Sequence, residues 1–252
     1  MLSRKGSRQA GLARTLSKRG YCSRSAASEL IRAGRVSING EIRRNPEAPV
    51  REGRDRIEVD GAALESSLKI YLVLNKPRGV VTTASDEHRR KTVYDYIDET
   101  QWVAPVGRLD KASEGLLLLT NDPEWAARIL APETHLNKTY HVHIGMVAAD
   151  DLISAIMRGV SAKDGDFLRA KSARHLRGGE KNSWLEIVLD EGRNRHIRRM
   201  FSEFGIEVLR IVRVAVGPLE LGDLPKGRSR HLTQVEKKAL DHAMRLRSLR
   251  SQ

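Results

Sequence analysis

Nine residues, Gly107-Arg108-Leu109-Asp110-Lys111-Ala112-Ser113-Glu114-Gly115, put a guanidinium and a carboxylate two positions apart on a glycine-bracketed loop. Leu116 to Leu119 and Thr120-Asn121-Asp122 follow directly. Four apolar residues in a row, bounded by polar turn residues, read as a short strand buried on both faces. A carboxylate anchored to a packed strand loses little precision to motion. Two readings of Arg108 and Asp110 stand side by side: a surface ion pair beside a turn, which contributes little, or one carboxylate held in place for chemistry.

A second cluster is Glu191-Gly192-Arg193-Asn194-Arg195-His196-Ile197-Arg198-Arg199-Met200-Phe201. It reads as a glycine turn opening a helix, with Ile197, Met200, Phe201 and Phe204 facing inward and Gly205 stopping it. Four arginines in the first turns oppose the helix macrodipole. Something else must favour them: a carboxylate partner, bound phosphates, or both. A third element, Lys138 to Ile144, alternates with period two and puts Tyr140, Val142 and Ile144 on one face. Tyr140 is either an ordinary core tyrosine or the polar tip of an apolar stripe.

The eight histidines, including His141 and His143 on that strand, lack the spacing of a zinc site, so no metal is expected. The single Cys22 excludes an intrachain disulfide and a cysteine zinc site. No GxGxxG or GxxxxGK[ST] loop is present, so no nucleotide cofactor is expected.

The 252 residues suit two domains or one large one. Apolar residues at 40% suffice for a core, and with aromatics at 4% it must be built from Leu, Ile, Val and Ala. A net charge of +13 predicts a polyanionic partner through counterion release and long-range steering. No apolar run approaches the roughly 20 residues of a membrane span, and residues 1 to 20 carry no signal-peptide pattern. A soluble, intracellular protein is expected, with residues 1 to 9 disordered.

The positioning elements read in order. A helix from about Ala10 to Lys18 is followed by a second, capped by Ser23 or Ser25 and ending at Gly34. Val36 and Ile38 alternate before an Asn39-Gly40 hairpin turn, and Ile57 and Val59 before Asp60-Gly61. Residues 62 to 68 read as a linker. Through residue 66 there are 14 Lys and Arg against 8 Asp and Glu. Beyond it, Ile70 to Leu74 is a strand running into an Asn75-Lys76-Pro77-Arg78-Gly79 turn. Val80 to Thr83 is β-prone, and Val93 to Ile97 is helical for about a turn. Asp122-Pro123 starts a helix, Ala148 to Met157 is another, and Ala162 to Ala173 is a strand pair around Asp164-Gly165. Trp184 to Leu189 and Val208 to Val216 are strands, and a Thr233-x-x-Glu236 capping box opens a basic helix ending near Arg250.

Leu16-Ser17-Lys18-Arg19-Gly20-Tyr21-Cys22-Ser23-Arg24, with Ala27, Leu30-Ile31, Ala33-Gly34-Arg35-Val36 and Asn39-Gly40, resembles an S4 RNA-binding domain. Asn75 to Gly79, Gly107 to Asp110 with its leucine tail, Lys138-Thr139-Tyr140 and Glu191 to Met200 occur in the order found in S4-bearing ribosomal RNA pseudouridine synthases of the RsuA type, and the chain resembles that family over nearly its whole length. Departures are Pro123 where Gly is frequent, His196 where Gln is usual, and Arg24-Ser25 where two arginines are common.

The resemblance implies an α+β fold: an S4 domain over residues 10–62, then a catalytic domain over 69–250 with a mixed, mainly antiparallel sheet flanked by helices. It implies conversion of a uridine in ribosomal RNA to pseudouridine without cofactor or metal, leaning to 23S over 16S RNA. Asp110 would be the catalytic carboxylate, acting on the ribose or the base, with Arg193 its guanidinium partner. Tyr140 would stack beneath the uracil and can take the C5 proton. RNA contacts would come from Arg14, Lys18, Arg19, Arg24, Arg32 and Arg35 in the S4 domain and from Lys76, Arg108, Lys138, Arg195, Arg198 and Arg199 beyond it. A cytoplasmic monomer is expected. Two rivals remain: a non-catalytic S4-type ribosome assembly factor, and an N-glycosidase that releases the base.

Overall fold

The computed structural model describes residues 9–65, 68–84, 86 and 88–248. The expected disorder at the basic start and the end of the last helix near Arg250 lie outside them. The chain forms two compact units, one running to Ile70 and including Glu99–Ala104 and Thr120–Pro123, the other formed by Tyr71–Asp98, Pro105–Leu119 and the residues from Glu124 onward.

In the first unit α1 (Leu12–Lys18) and α2 (Arg24–Arg32) bury Leu12, Leu16, Ala27 and Ile31 against Val36, Ile38, Val50, Ile57 and Val59. Ser23 is the α2 cap, its hydroxyl accepting the Ala26 N–H at 3.1 Å. The strands are β1 (Gln9–Gly11), β2 (Val36–Ile38), β3 (Glu41–Arg43), β4 (Pro49–Arg51), β5 (Ile57–Val59) and β6 (Ala62–Ala63). β1 pairs with β4, and the other four form a sheet in the order β3-β2-β5-β6. Asn39-Gly40 closes the β2–β3 hairpin with both residues at positive φ, +54° and +84°, the geometry of a two-residue turn whose twist matches its strands.

The expected linker is in part structured. Ala62–Ala63 pair with β5, and the Leu64 N–H donates to the Ile57 carbonyl. Asn121, nearly fully buried, accepts the Ile70 N–H at 2.8 Å and donates to the Leu68 carbonyl. Those side-chain bonds bring residues 120 to 123 into the first unit, a long-range pairing that no local pattern announces.

From Tyr71 onward the strands are β7 (Tyr71–Lys76), β8 (Ala104–Pro105), β9 (Glu114–Thr120), β10 (Lys138–Ile144), β11 (Val160–Ser161), β12 (Phe167–Leu168), β13 (Ser172–Gly178), β14 (Ser183–Leu189), β15 (Val208–Val216), β16 (Leu219–Glu220) and β17 (Ser229–His231). The main sheet runs β13-β14-β10-β15-β9-β7-β17, with β8 on β9 and β16 on β15. It is mixed and mostly antiparallel, with β15 and β9 parallel. The fold is therefore α+β. The β-prone run at Val80 to Thr83 makes one bridge, Val81 to Thr92, and no strand.

Four helices complete the chain: α3 (Pro123–Leu130), α4 (Asp150–Arg158), α5 (His196–Glu203) and α6 (Gln234–Ser248). α4 and α5 bury Ile156, Met200 and Phe201 on Val142, Ile144, Leu185 and Ile187. α3 and α6 bury Trp125, Ile129, Leu240 and Met244 against Val73, Leu116 and Leu118. Each such side chain contributes roughly 1.5–3 kcal/mol. At α6, Thr233 and Glu236 exchange the two bonds of a capping box at 3.2 and 2.8 Å.

β9 is buried along its whole length, as four consecutive leucines require. Gly115 within it has φ +102°, and a Cβ there would meet the Arg213 carbonyl oxygen at 2.3 Å. Backbone cannot yield as a flexible side chain does. Gly115→Ala is therefore expected to cost about 4 kcal/mol or more, read as a drop in the urea midpoint, and an unchanged midpoint would contradict the close strand approach.

Candidate active site

Asp110 sits on the loop before β9, and its main chain is gripped from three sides. The Lys76 ammonium donates to the carbonyls of Asp110 (3.1 Å), Ser113 (2.7 Å) and Pro77 (3.1 Å). The Thr82 hydroxyl donates to the Leu109 carbonyl at 2.8 Å. The Gly79 N–H donates to Lys111 O at 2.7 Å, and Arg198 Nη2 to Ala112 O at 3.3 Å. The turn Asn75 to Gly79 thus braces the loop that carries the carboxylate.

Lys76 was expected to touch RNA, and the structure corrects this: its side chain is fully buried under the loop and out of reach of any ligand. Burial pushes its pKa down to about 8, Arg213 adding to this, against the pull of Asp110 and Glu114. The unfolded chain therefore binds the extra proton between pH 8 and the ordinary lysine value, so stability rises with pH across that window. Lys76→Met should abolish that rise in urea unfolding at pH 7.5 and pH 10. It should also lower stability at both values, because three carbonyls lose their donor.

A cleft of about 780 Å³ opens above the loop. Arg108 and Asp110 line it from the loop, Lys138 and Tyr140 from β10, and Leu130 from α3. Glu191 to Arg195 line it from the segment after β14, His196 to Arg198 from the start of α5, and Arg213 from β15. The expected residues Arg108, Asp110, Lys138, Tyr140, Arg193, Arg195 and Arg198 thus share one cavity. Among the described residues, no group of His, Cys, Asp or Glu is arranged to hold a metal ion, and no helix is long and apolar enough to cross a membrane.

The arginines differ in what holds them. Helix α5 begins at His196 and not at the Gly192 turn, with Arg195 as its N-cap at φ +47°. Arg193 is left in the loop, where its Nε donates to Glu191 at 2.5 Å and its Nη1 to Asp166 at 3.1 Å. These carboxylates hold Arg193, and they raise its pKa. The expected Arg193–Asp110 pair is not formed. Arg199 pairs with Asp164 and Asp166 and does not line the cleft. The β11–β12 turn therefore supplies the carboxylate partners that the unfavourable helix-end charges called for.

Arg198 is the guanidinium that reaches the Asp110 loop. Its Nη1 donates to the Val208 carbonyl at 2.9 Å and its Nη2 to Ala112. Burial and the neighbouring Arg195 and Arg78 push its pKa down, while the negative charge of Asp110 opposes them. Lys138 is likewise lowered, by burial and then Arg213, against Asp190.

Two residues of the cleft, Arg213 and His196, and one behind it, Glu114, carry no signal in the local sequence pattern. Arg213 is 7% exposed, and its Nε donates to the Leu116 carbonyl at 2.7 Å. His196 is 5% exposed, and neither ring nitrogen has a partner in hydrogen-bond geometry. Burial lowers its pKa most, and the nearby Arg169 backbone opposes this from outside that geometry. Glu114 is buried between Arg210 and Lys226; burial raises its pKa, but together the two cations outweigh burial and hold it low.

In the first unit Arg14, Arg24 and Arg32 are exposed. Arg35 makes a two-pronged pair with Asp60 at 2.8 and 2.5 Å. Lys18 lies 3.5 Å from Glu52, and Arg19 donates to the Leu64 carbonyl at 3.4 Å. Exposed pairs of this kind are weak and do not bar these residues from exchanging a carboxylate for a phosphate.

Comparison with known proteins agrees with this architecture. Residues 70–203 match the family model for RNA pseudouridylate synthase, and residues 11–55 that for the S4 domain. The chain is 36% identical to the ribosomal large subunit pseudouridine synthase B of Bacillus subtilis (strain 168), over 91% of its own length and 94% of the relative's. It is 39% identical to an uncharacterized RNA pseudouridine synthase of Aquifex aeolicus (strain VF5), over 92% and 94%. A solved pseudouridylate synthase superposes with a TM-score of 0.64 at 28% identity, covering 92% of this chain and 99% of that one. This chain belongs to the RNA pseudouridylate synthases that carry an S4 domain, and it is an enzyme of that class.

Proposed function

We propose that this enzyme isomerises a uridine of ribosomal RNA, with large-subunit RNA favoured, and that it does so without a cofactor. The observation that carries the reading is the meeting of Asp110, Tyr140 and Arg198 at one cleft. The large-subunit preference leans on the name of the Bacillus subtilis relative. An S4 module over residues 10–62 holds the RNA by its phosphates, and the domain over 69–250 does the chemistry.

The uridine must leave its stack to reach Asp110, at a cost of a few kcal/mol. Cations around the cleft offset that cost through the backbone. The N1–C1′ bond then breaks, the uracil turns, C5 bonds to C1′, C5 gives up its proton and N1 gains one. The sum is an isomerisation, with no atom gained or lost. Asp110 acts on the ribose or the base. We assign the guanidinium beside it to Arg198 and not to Arg193, because Arg198 is bonded to the same loop and feels the Asp110 charge. Tyr140 supports the base from β10 and stands as the group that takes the C5 proton.

Pseudouridine mapping in total RNA from a deletion strain, with and without the restored gene, tests this. One large-subunit site should be lost and then recovered. No lost site would sink the enzymatic reading in favour of an assembly factor, and an abasic product would favour the N-glycosidase.

A further inference from the structure

We propose that Arg213 forms a phosphate-binding subsite in the floor of the cleft, taking the phosphodiester of the nucleotide that enters beside Tyr140. The inference rests on RNA being the substrate. Arg213 is nearly fully buried, yet among the described residues no carboxylate lies within ion-pair distance of it. A buried cation without a counterion carries a penalty of several kcal/mol. An anionic ligand removes that penalty; a neutral uracil carbonyl does not.

The geometry leaves the right donors free. Arginine offers five N–H groups in a fixed fork. The Leu116 carbonyl takes the Nε donor and fixes the plane of the guanidinium. The Nη donors have no hydrogen-bond partner among the described residues and match two non-bridging phosphate oxygens. The other arginines at the cleft differ: half-buried Arg198 commits one N–H of each Nη to a backbone carbonyl, and Arg193 is held by two carboxylates. Arg213 lies opposite Tyr140 across the β10–β15 pair, so the subsite adjoins the residue assigned to the base. Its charge also reaches Lys138, whose pKa burial and then Arg213 lower, so the two cations share one part of the cleft.

The test measures binding of unmodified in vitro transcripts of 16S and 23S RNA against KCl concentration, with wild type, Arg213→Gln and Arg213→Lys. The glutamine variant should bind about tenfold more weakly, with a log–log salt slope shallower by about one. The loss should fall on RNA affinity, and so on KM, more than on kcat at saturating RNA. Lysine should restore the slope. An unchanged slope, or a loss in kcat at unchanged affinity, would overturn the phosphate assignment and point to a uracil contact. Should thermal melting show the glutamine variant unfolded, NMR titration of wild type with uridine, 3′-UMP and 5′-UMP decides. At least one monophosphate should bind about tenfold better than uridine, and equal affinities would overturn the subsite. A wild type that binds the transcripts but makes no pseudouridine would defeat the enzymatic reading and leave the salt-slope result standing by itself.

Discussion

Asp110→Asn should reduce pseudouridine formation by at least about four orders of magnitude while leaving RNA affinity within about threefold. Four orders correspond to about 5.5 kcal/mol of lost transition-state stabilisation. The expectation that the fold survives is specific to this loop. Every hydrogen bond that grips Asp110, from Lys76 and from the Ser113 N–H, ends on its main-chain carbonyl. Asparagine keeps that carbonyl and nearly the same side-chain volume, so only the charge and the nucleophilic or basic oxygen are removed. RNA affinity is carried by phosphate contacts from many cations, and a single carboxylate in the cleft contributes little to it. Tritium release from C5-labelled RNA measures the turnover, and filter binding of the same RNA measures affinity. Turnover within tenfold of wild type would remove Asp110 from the chemistry.

How far the sequence was legible depended on whether the cause was local. The leucine run of β9, the Asn39-Gly40 hairpin and the Thr233–Glu236 capping box are each fixed by residues a few positions apart, and each formed as read. Lys76 was misread because a lysine in a turn is usually exposed. The three carbonyls that bury it include two from residues 110 and 113, a distance along the chain that no window spans. Arg210 and Arg213 stand inside an apolar strand, where no local pattern marks them as functional. Their odd spacing sends them to opposite faces of the sheet, one to Glu114 and one to the cleft. The family motif brings Asp110, Tyr140 and the arginine run to one cavity, but its alignment points to Arg193, whereas Arg198 is the arginine bonded to the Asp110 loop.

That last question has a measurable answer in a pair of variants. Arg198→Met should lower kcat by roughly 10²–10³-fold, about 3–4 kcal/mol, whereas Arg193→Met should change kcat by less than about tenfold and act mainly on RNA affinity. Two effects add at Arg198. Removing it frees the Ala112 carbonyl, so the loop that aims the Asp110 carboxylate loosens, and small displacements of a reacting group are costly. It also removes the positive charge that couples to Asp110, a field that matters in a buried site. Arg193 has its charge answered by Glu191 and Asp166 before any ligand arrives. Its loss leaves the Asp110 loop untouched and frees Glu191 at the cleft, where it repels RNA, while Asp166 stays paired with Arg199. Arg198→Lys separates the two effects. An ammonium keeps the charge without the fork that bridges Val208 and Ala112, so kcat should recover only in part. If Arg193→Met were the variant that lost three orders in kcat while Arg198→Met stayed near wild type, the guanidinium acting on Asp110 would be Arg193, brought over from its carboxylates when RNA binds.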